Sequence, residues 1–259
     1  MKNNSVTIMK KILNKKTLFI SLFILALVVI VSFTIFFIWS QDTFEAVDAD
    51  QIEIEEVIEP EDGWYIYRAD NAEKGLILYP GAKVEPEAYA YLAQELSKQN
   101  ITVAIPSVRL NLSILDVSKA DEIIESDDSI EWYVSGHSMG GAAAAMYADQ
   151  QLDRVNGLIL LGAYAASNDY LSESNLPALS ISGSEDGLST PEKIKENSPN
   201  LPETTDFIEI PGGNHAYFGV YGSQSGDNEA QITVSEQQEI ILELIVDWLE
   251  NDHSLSEEE

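Results

Sequence analysis

Between residues 63 and 250, short apolar runs alternate with stretches in which apolar residues return every three or four positions. The runs WYIYR (64–68), GLILY (75–79), ITVAIP (101–106), EWYVS (131–135), GLILLG (157–162), ALSIS (178–182) and DFIEI (206–210) have the length and composition of buried strands. Helical spacing separates them. Tyr89, Leu92, Ala93 and Leu96 fall at i, i+3, i+4 and i+7 behind Pro86, which suits a first helical turn. A weaker helix is predicted near 116–125, an alanine-rich one from 139, and a short one opened by Thr190-Pro191-Glu192. The last begins at the overlapping capping signals Thr233/Glu236 and Ser235/Gln238, burying Ile240, Ile241, Leu244, Ile245, Trp248 and Leu249. Strands alternating with helices predict an α/β domain over 63–252, a mostly parallel sheet with helices on both faces.

A different pattern precedes it. Residues 17–39, TLFISLFILALVVIVSFTIFFIW, carry no charge and are long enough to cross a bilayer. This is longer than the apolar core of a cleavable signal, and only a weak Val47-Asp48-Ala49 site follows. The expectation is an uncleaved transmembrane anchor. Five of the 14 basic residues lie in the segment 1–16 and all 44 acidic ones follow residue 41. That asymmetry places the N-terminus in the cytoplasm and the domain outside, with Trp39 at the outer interface. Residues 40–62 read as an acidic tether, with a possible edge strand at QIEIEEVI (51–58), and 253–259 as a solvated acidic tail.

A formal net charge of −30 argues against nucleic acid or anionic lipid as partner. The absence of cysteine removes disulfides, thiolate metal sites and a cysteine nucleophile. No metal-binding motif is present, so neither metal nor organic cofactor is expected, and the domain is read as a monomer.

In a parallel sheet, every loop that follows a strand emerges at the same edge. Ser138 follows strand 131–135, Asp186 follows 178–182, His215 follows 206–210, and YPGAKVEP follows 75–79. One rim thus receives a serine, an acid, an imidazole and exposed amides. A serine hydroxyl needs a base, and imidazole titrates near neutral pH. Of the three histidines, His137 adjoins Ser138 and should point away from it, and His253 lies in the tail, which leaves His215. For the acid, Glu185 competes with Asp186; Gly183 three residues earlier lets the chain turn before Asp186. Gly136 and Gly140 flank Ser138 by two positions, as a sharp strand-to-helix turn requires. The amides of Met139 and Ala82 are the candidate oxyanion hole.

The GHSMGG elbow and the order Ser, Asp, His resemble the α/β-hydrolase superfamily over roughly residues 63–250. LYPGAKVEPEAY, GHSMGG and GGNHAYFGVYGSQSGD look like bacterial, often membrane-anchored, dienelactone-hydrolase-like members. The resemblance implies an α/β-hydrolase fold, a Ser138–Asp186–His215 triad and an oxyanion loop at 80–83. The chain departs from dienelactone hydrolases proper, which use cysteine.

The function expected is a membrane-tethered extracytoplasmic serine hydrolase, carboxylesterase-like and working through an acyl-enzyme. Its rivals are an inactive hydrolase-fold binding module and an acyltransferase using the same triad. Lys83 and Arg109 are candidates for an anionic substrate group, against the alternative of surface ion pairs. Residues 163–177 are too short for an apolar lid, and Tyr217, Phe218 and Tyr221 are expected to wall a small pocket. Short acyl esters are the expected substrates.

Overall fold

The computed structural model describes residues 2–49, 52, 54, 58–167 and 169–251, with side chains from Lys15 onward. The chain divides into two units at Asp42/Thr43. The first is helix α1, Lys2–Ser40, whose segment Lys15–Ser40 is long and apolar enough to span a membrane. At about 1.5 Å per residue its 26 residues reach ~39 Å, against a hydrocarbon core of about 30 Å.

The second unit holds β1 (Trp64–Tyr67), β2 (Lys74–Tyr79), α2 (Ala90–Lys98), β3 (Ile101–Pro106), α3 (Ala120–Ile124) and β4 (Glu131–His137). Then come α4 (Met139–Gln150), β5 (Gly157–Leu161), β6 (Ala178–Gly183), α5 (Pro191–Asn197), β7 (Asp206–Ile210) and α6 (Val234–Glu250). The seven strands form one sheet in the order β1-β3-β2-β4-β5-β6-β7. All neighbours are parallel except β1, which runs against β3 with Trp64 opposite Pro106. The alternation along β2 shows why both faces are apolar: Leu76 and Leu78 pack with α2 and α6, while Ile77 and Tyr79 pack with α4. The mostly parallel α/β sheet read from the sequence is the one observed.

Three expectations change. β4 runs two residues past the predicted end, because Gly136 and His137 still pair with Leu160 and Leu161 of β5. Thr233 wins the competition to cap α6, closing a capping box with Glu236. Ile240 and Leu244 are only half-buried on that helix, whereas Gln237 and Gln238 are buried. The segment 163–177 contributes a single 3-10 turn, Leu171–Glu173, among the described residues. Most of the predicted strand at 51–58 and the tail 253–259 with His253 lie outside the described residues.

The acidic tether is not a plain linker. Phe44 N donates to Lys83 O (2.7 Å) and Phe44 O accepts from Glu85 N (3.0 Å), an isolated bridge alongside Val84. Val47 N donates to Val220 O (3.0 Å), and the Phe44 ring rests 5.6 Å from that of Tyr221. Residues 44–47 strap together two loops at the carboxyl edge of the sheet.

Candidate active site

Ser138 occupies the single residue between β4 and α4, with φ 55° and ψ −120°. Residues other than glycine rarely hold this conformation, which costs about 1–3 kcal/mol. It is held from both sides: Ser138 N donates to Leu161 O (3.0 Å), and Ser138 O accepts from Ala142 N (3.2 Å). The flanking glycines are sterically required. A Cβ on Gly136 would lie 2.5 Å from Gly141 N and closer still to the Gly140 carbonyl. One on Gly140 would lie 2.5 Å from Pro80 O and closer still to Tyr79 O. The fully buried Ala143–Ala145 and Ala148 let α4 lie tight on the sheet behind this turn.

Asp186 Oδ2 lies 2.7 Å from His215 Nδ1, and both residues are buried. The other carboxylate oxygen accepts from Leu188 N (2.8 Å) and Ser189 N (2.6 Å), so the acid is locked in orientation. Its rival Glu185 faces elsewhere and accepts from Gln231 Nε2 (2.7 Å). With Nδ1 engaged, His215 is left with Nε2, which is buried and without a hydrogen-bond partner. Ser138 Oγ likewise has no partner among the described residues. The Asp186–His215 contact expected from the sequence is made in this structure, and a Ser138–His215 contact is not.

The sequence from 75 to 239 matches the model of the alpha/beta hydrolase family. The chain belongs to that family. Among solved structures it is similar to a monoglyceride lipase variant from Saccharomyces cerevisiae in complex with a substrate analogue. The TM-score there is 0.60 at 12% identity, over 81% of this chain and 100% of the other. It is also similar to Est1E from Butyrivibrio proteoclasticus with bound ferulic acid (0.56, 14%, covering 79% and 98%). A third is MGS-MChE2, an alpha/beta hydrolase from a lagoon-sediment metagenome (0.58, 14%, covering 75% and 98%). At these identities the likeness is one of fold. No curated protein matches the sequence. The matched family is that of the α/β hydrolases at large, and the dienelactone-hydrolase-like likeness rests on the motifs alone.

In this α/β hydrolase the loop after β2 is tied down at nearly every residue. Pro80 O accepts from Ser113 Oγ (2.7 Å), Gly81 O from Val84 N (3.1 Å), and Lys83 N donates to Asn111 O (2.7 Å). Gly81 N donates to the Tyr89 hydroxyl (2.9 Å), which also lies 2.9 Å from His137 Nδ1. Since the phenol oxygen already accepts from Gly81, its proton is best placed donating to Nδ1, which makes His137 the Nε2–H tautomer. The amides left unengaged, among the described residues, include those of Ala82 and Met139, the pair expected to face an oxyanion.

His137 is the residue that sequence reasoning set aside. Its ring is fully buried, 4.7 Å from that of His215 and stacked 5.8 Å from Phe218. Burial first, and then the electrostatic influence of His215 beside it, hold its pKa well below the usual histidine value. Burial also pushes the phenols of Tyr89 and Tyr221 well above theirs. His215 is thus backed by groups that stay neutral.

The four substrate-binding candidates fare differently. Lys83 is buried, at φ 64°, with its ammonium 5.8 Å over the Phe44 ring. Arg109 is paired with Asp116 (2.6 Å), and 73% of its side chain is exposed. Phe218 is fully buried behind His137 and does not wall an open pocket. Tyr217 is half-buried and lines a cavity of about 500 Å³ with Val47, Val220, Ile232 and Thr233.

Proposed function

We propose that this protein is a serine hydrolase of small esters. Ser138 Oγ attacks the ester carbonyl while His215 Nε2 takes its proton, and Asp186 fixes the imidazole tautomer and stabilises the imidazolium. The amides of Ala82 and Met139 receive the oxyanion, and the imidazolium protonates the departing alcohol. Water then releases the acyl group by the reverse proton path. The observation that carries this reading is the buried 2.7 Å Asp186–His215 bond, which leaves Nε2 unpartnered. Catalytic hydrogen bonds that are long or unmade in a free enzyme tighten around substrate, which is how the unmade Ser138–His215 contact fits this reading.

The short segment 163–177 and the burial of Phe218 support a preference for short acyl chains, about two to four carbons. Methylenes left in water gain little of the ~0.8 kcal/mol each contributes when buried. Hydrolysis of a nitrophenyl ester series should show kcat/KM falling beyond those lengths; a rise out to long chains refutes the size preference. The unmade Ser138–His215 contact favours, as a second reading, a binding module that holds esters without turning them over. Absence of any turnover in the series supports that reading.

We further infer that α1 anchors the enzyme with its domain outside the cell, on the strength of the lysines before the span and the acids after it. Protease added to protoplasts should remove the domain. Protection of the domain reverses the orientation, and a soluble form beginning near Ala49 replaces the anchor with a signal.

A further inference from the structure

The motif GGNHAYFGVYGSQSGD ends at Asp227, to which the triad gives no part. Its carboxylate is nonetheless the meeting point of the acid and base loops. Oδ1 accepts from Gly187 N (3.0 Å), His215 N (3.2 Å) and Asn228 N (2.9 Å), and Oδ2 accepts from Ala216 N (2.8 Å). Gly187 directly follows Asp186, and Ala216 directly follows His215. One side chain therefore holds the backbone at the base and on the far side of both partners of the 2.7 Å bond.

On the near side the two loops are already laced. Glu185 N donates to Gly213 O (2.8 Å), and Gly212 N donates to Ser184 Oγ (2.8 Å). Asn214, next to His215, is gripped by the Gln237 amide through both its N–H (3.0 Å) and its carbonyl (2.9 Å). Asp227 closes the open side of this frame. The approach is tight: a Cβ on Gly187 would meet Gly226 O at 2.6 Å and Asp227 Cα at 3.0 Å. Four N–H donors converging on two oxygens call for an ionised carboxylate, since charge-assisted bonds are about twice as strong as neutral ones. An asparagine of the same shape keeps one acceptor atom and turns an NH₂ toward a backbone N–H.

We propose that Asp227 is a positioning residue that sets the register of Asp186 against His215 by clamping their two loops. The inference rests on the triad reading for its catalytic consequence, though not for the clamp itself. The test compares the wild type with Asp227→Asn and with Asp121→Asn, which removes the charge that Arg154 pairs with on α3, outside the loops of Asp186 and His215. In Asp227→Asn, amide exchange should quicken at least about 10-fold in both 184–189 and 213–218 and remain unchanged elsewhere. Its kcat should fall about 100-fold with KM within threefold, as expected for misplacement on the ångström scale. Asp121→Asn should lower Tm and leave kcat unchanged. Unchanged exchange in either loop, or loss of kcat only in proportion to unfolding, overturns the proposal. Should Asp227→Asn not fold, the wild type decides: Gly187 and Ala216 amides must exchange through one common opening, and separate openings refute the clamp. A wild type with no esterase activity defeats the triad reading while the exchange measurements still decide the clamp.

Discussion

Asp186 Oδ2 and His215 Nδ1 are 2.7 Å apart, with both side chains out of contact with solvent. This bond leaves Nε2 as the imidazole nitrogen without a partner. Asp186→Asn keeps the shape and stabilises the wrong tautomer, so kcat should fall about 10³–10⁴-fold with little change in KM. Glu185→Gln should stay within threefold of wild type, because Glu185 is engaged by Gln231. Steady-state kinetics of the two variants test this assignment.

Ser138 pits stability against chemistry. At φ 55° and ψ −120° its backbone is strained, whereas glycine adopts positive φ freely. Ser138→Gly should therefore be more stable than Ser138→Ala by about 1 kcal/mol, after allowing for glycine's extra freedom in the unfolded chain. Both variants should be inactive. Urea denaturation of the pair measures the difference.

The strands were legible because a parallel sheet buries both faces, so each strand is a continuous apolar run. The helices were legible from their period. The end of β4 was not, since Gly136 and His137 break the apolar run and are held by pairing with distant β5. Gln238 reads as half of a capping signal, yet it and Gln237 are buried, where they serve the Tyr217 carbonyl and the Asn214 backbone. Phe44, a single aromatic among acids, carried no pattern at all. The loops that carry Ser138, Asp186 and His215 could be placed at one rim because the ends of parallel strands translate sequence position into geometry. The backing of that rim by His137, Tyr89 and Asp227 is long-range, and no local spacing encodes it.

The buried His137 makes folding sensitive to acid. Its pKa in the folded chain lies well below 6.5, so as pH falls the unfolded chain binds a proton that the folded one refuses. Its contribution to stability is complete above about pH 6.5 and declines below it by up to about 1.4 kcal/mol per pH unit. It is faced by His215 and by the phenols of Tyr89 and Tyr221, and the two phenols, pushed upward by burial, keep their protons throughout. The stability difference between wild type and His137→Asn should shift against the wild type by about 1.3 kcal/mol between pH 7 and pH 5.5. Parallel pH profiles in urea denaturation refute a buried neutral imidazole.

The strap at Phe44 separates a structural segment from a passive tether. Loss of its contacts with Tyr221 in Phe44→Ala should destabilise the domain by about 2 kcal/mol. A residue in a free linker would cost less than about 0.5 kcal/mol. The bonds of Phe44 to Lys83 and Glu85 are made by its backbone and persist in alanine, so kcat and KM should stay within about threefold while stability falls. Kinetics and denaturation of the one variant read both effects.

Ser138 as the nucleophile is tested most directly by reacting the purified domain with a fluorophosphonate and locating the adduct by mass spectrometry. Serine catalysis predicts one adduct, on the peptide that carries Ser138, absent in Ser138→Ala and greatly slowed in His215→Ala. A folded wild type that takes up no label, or an adduct on another residue that survives Ser138→Ala, contradicts it.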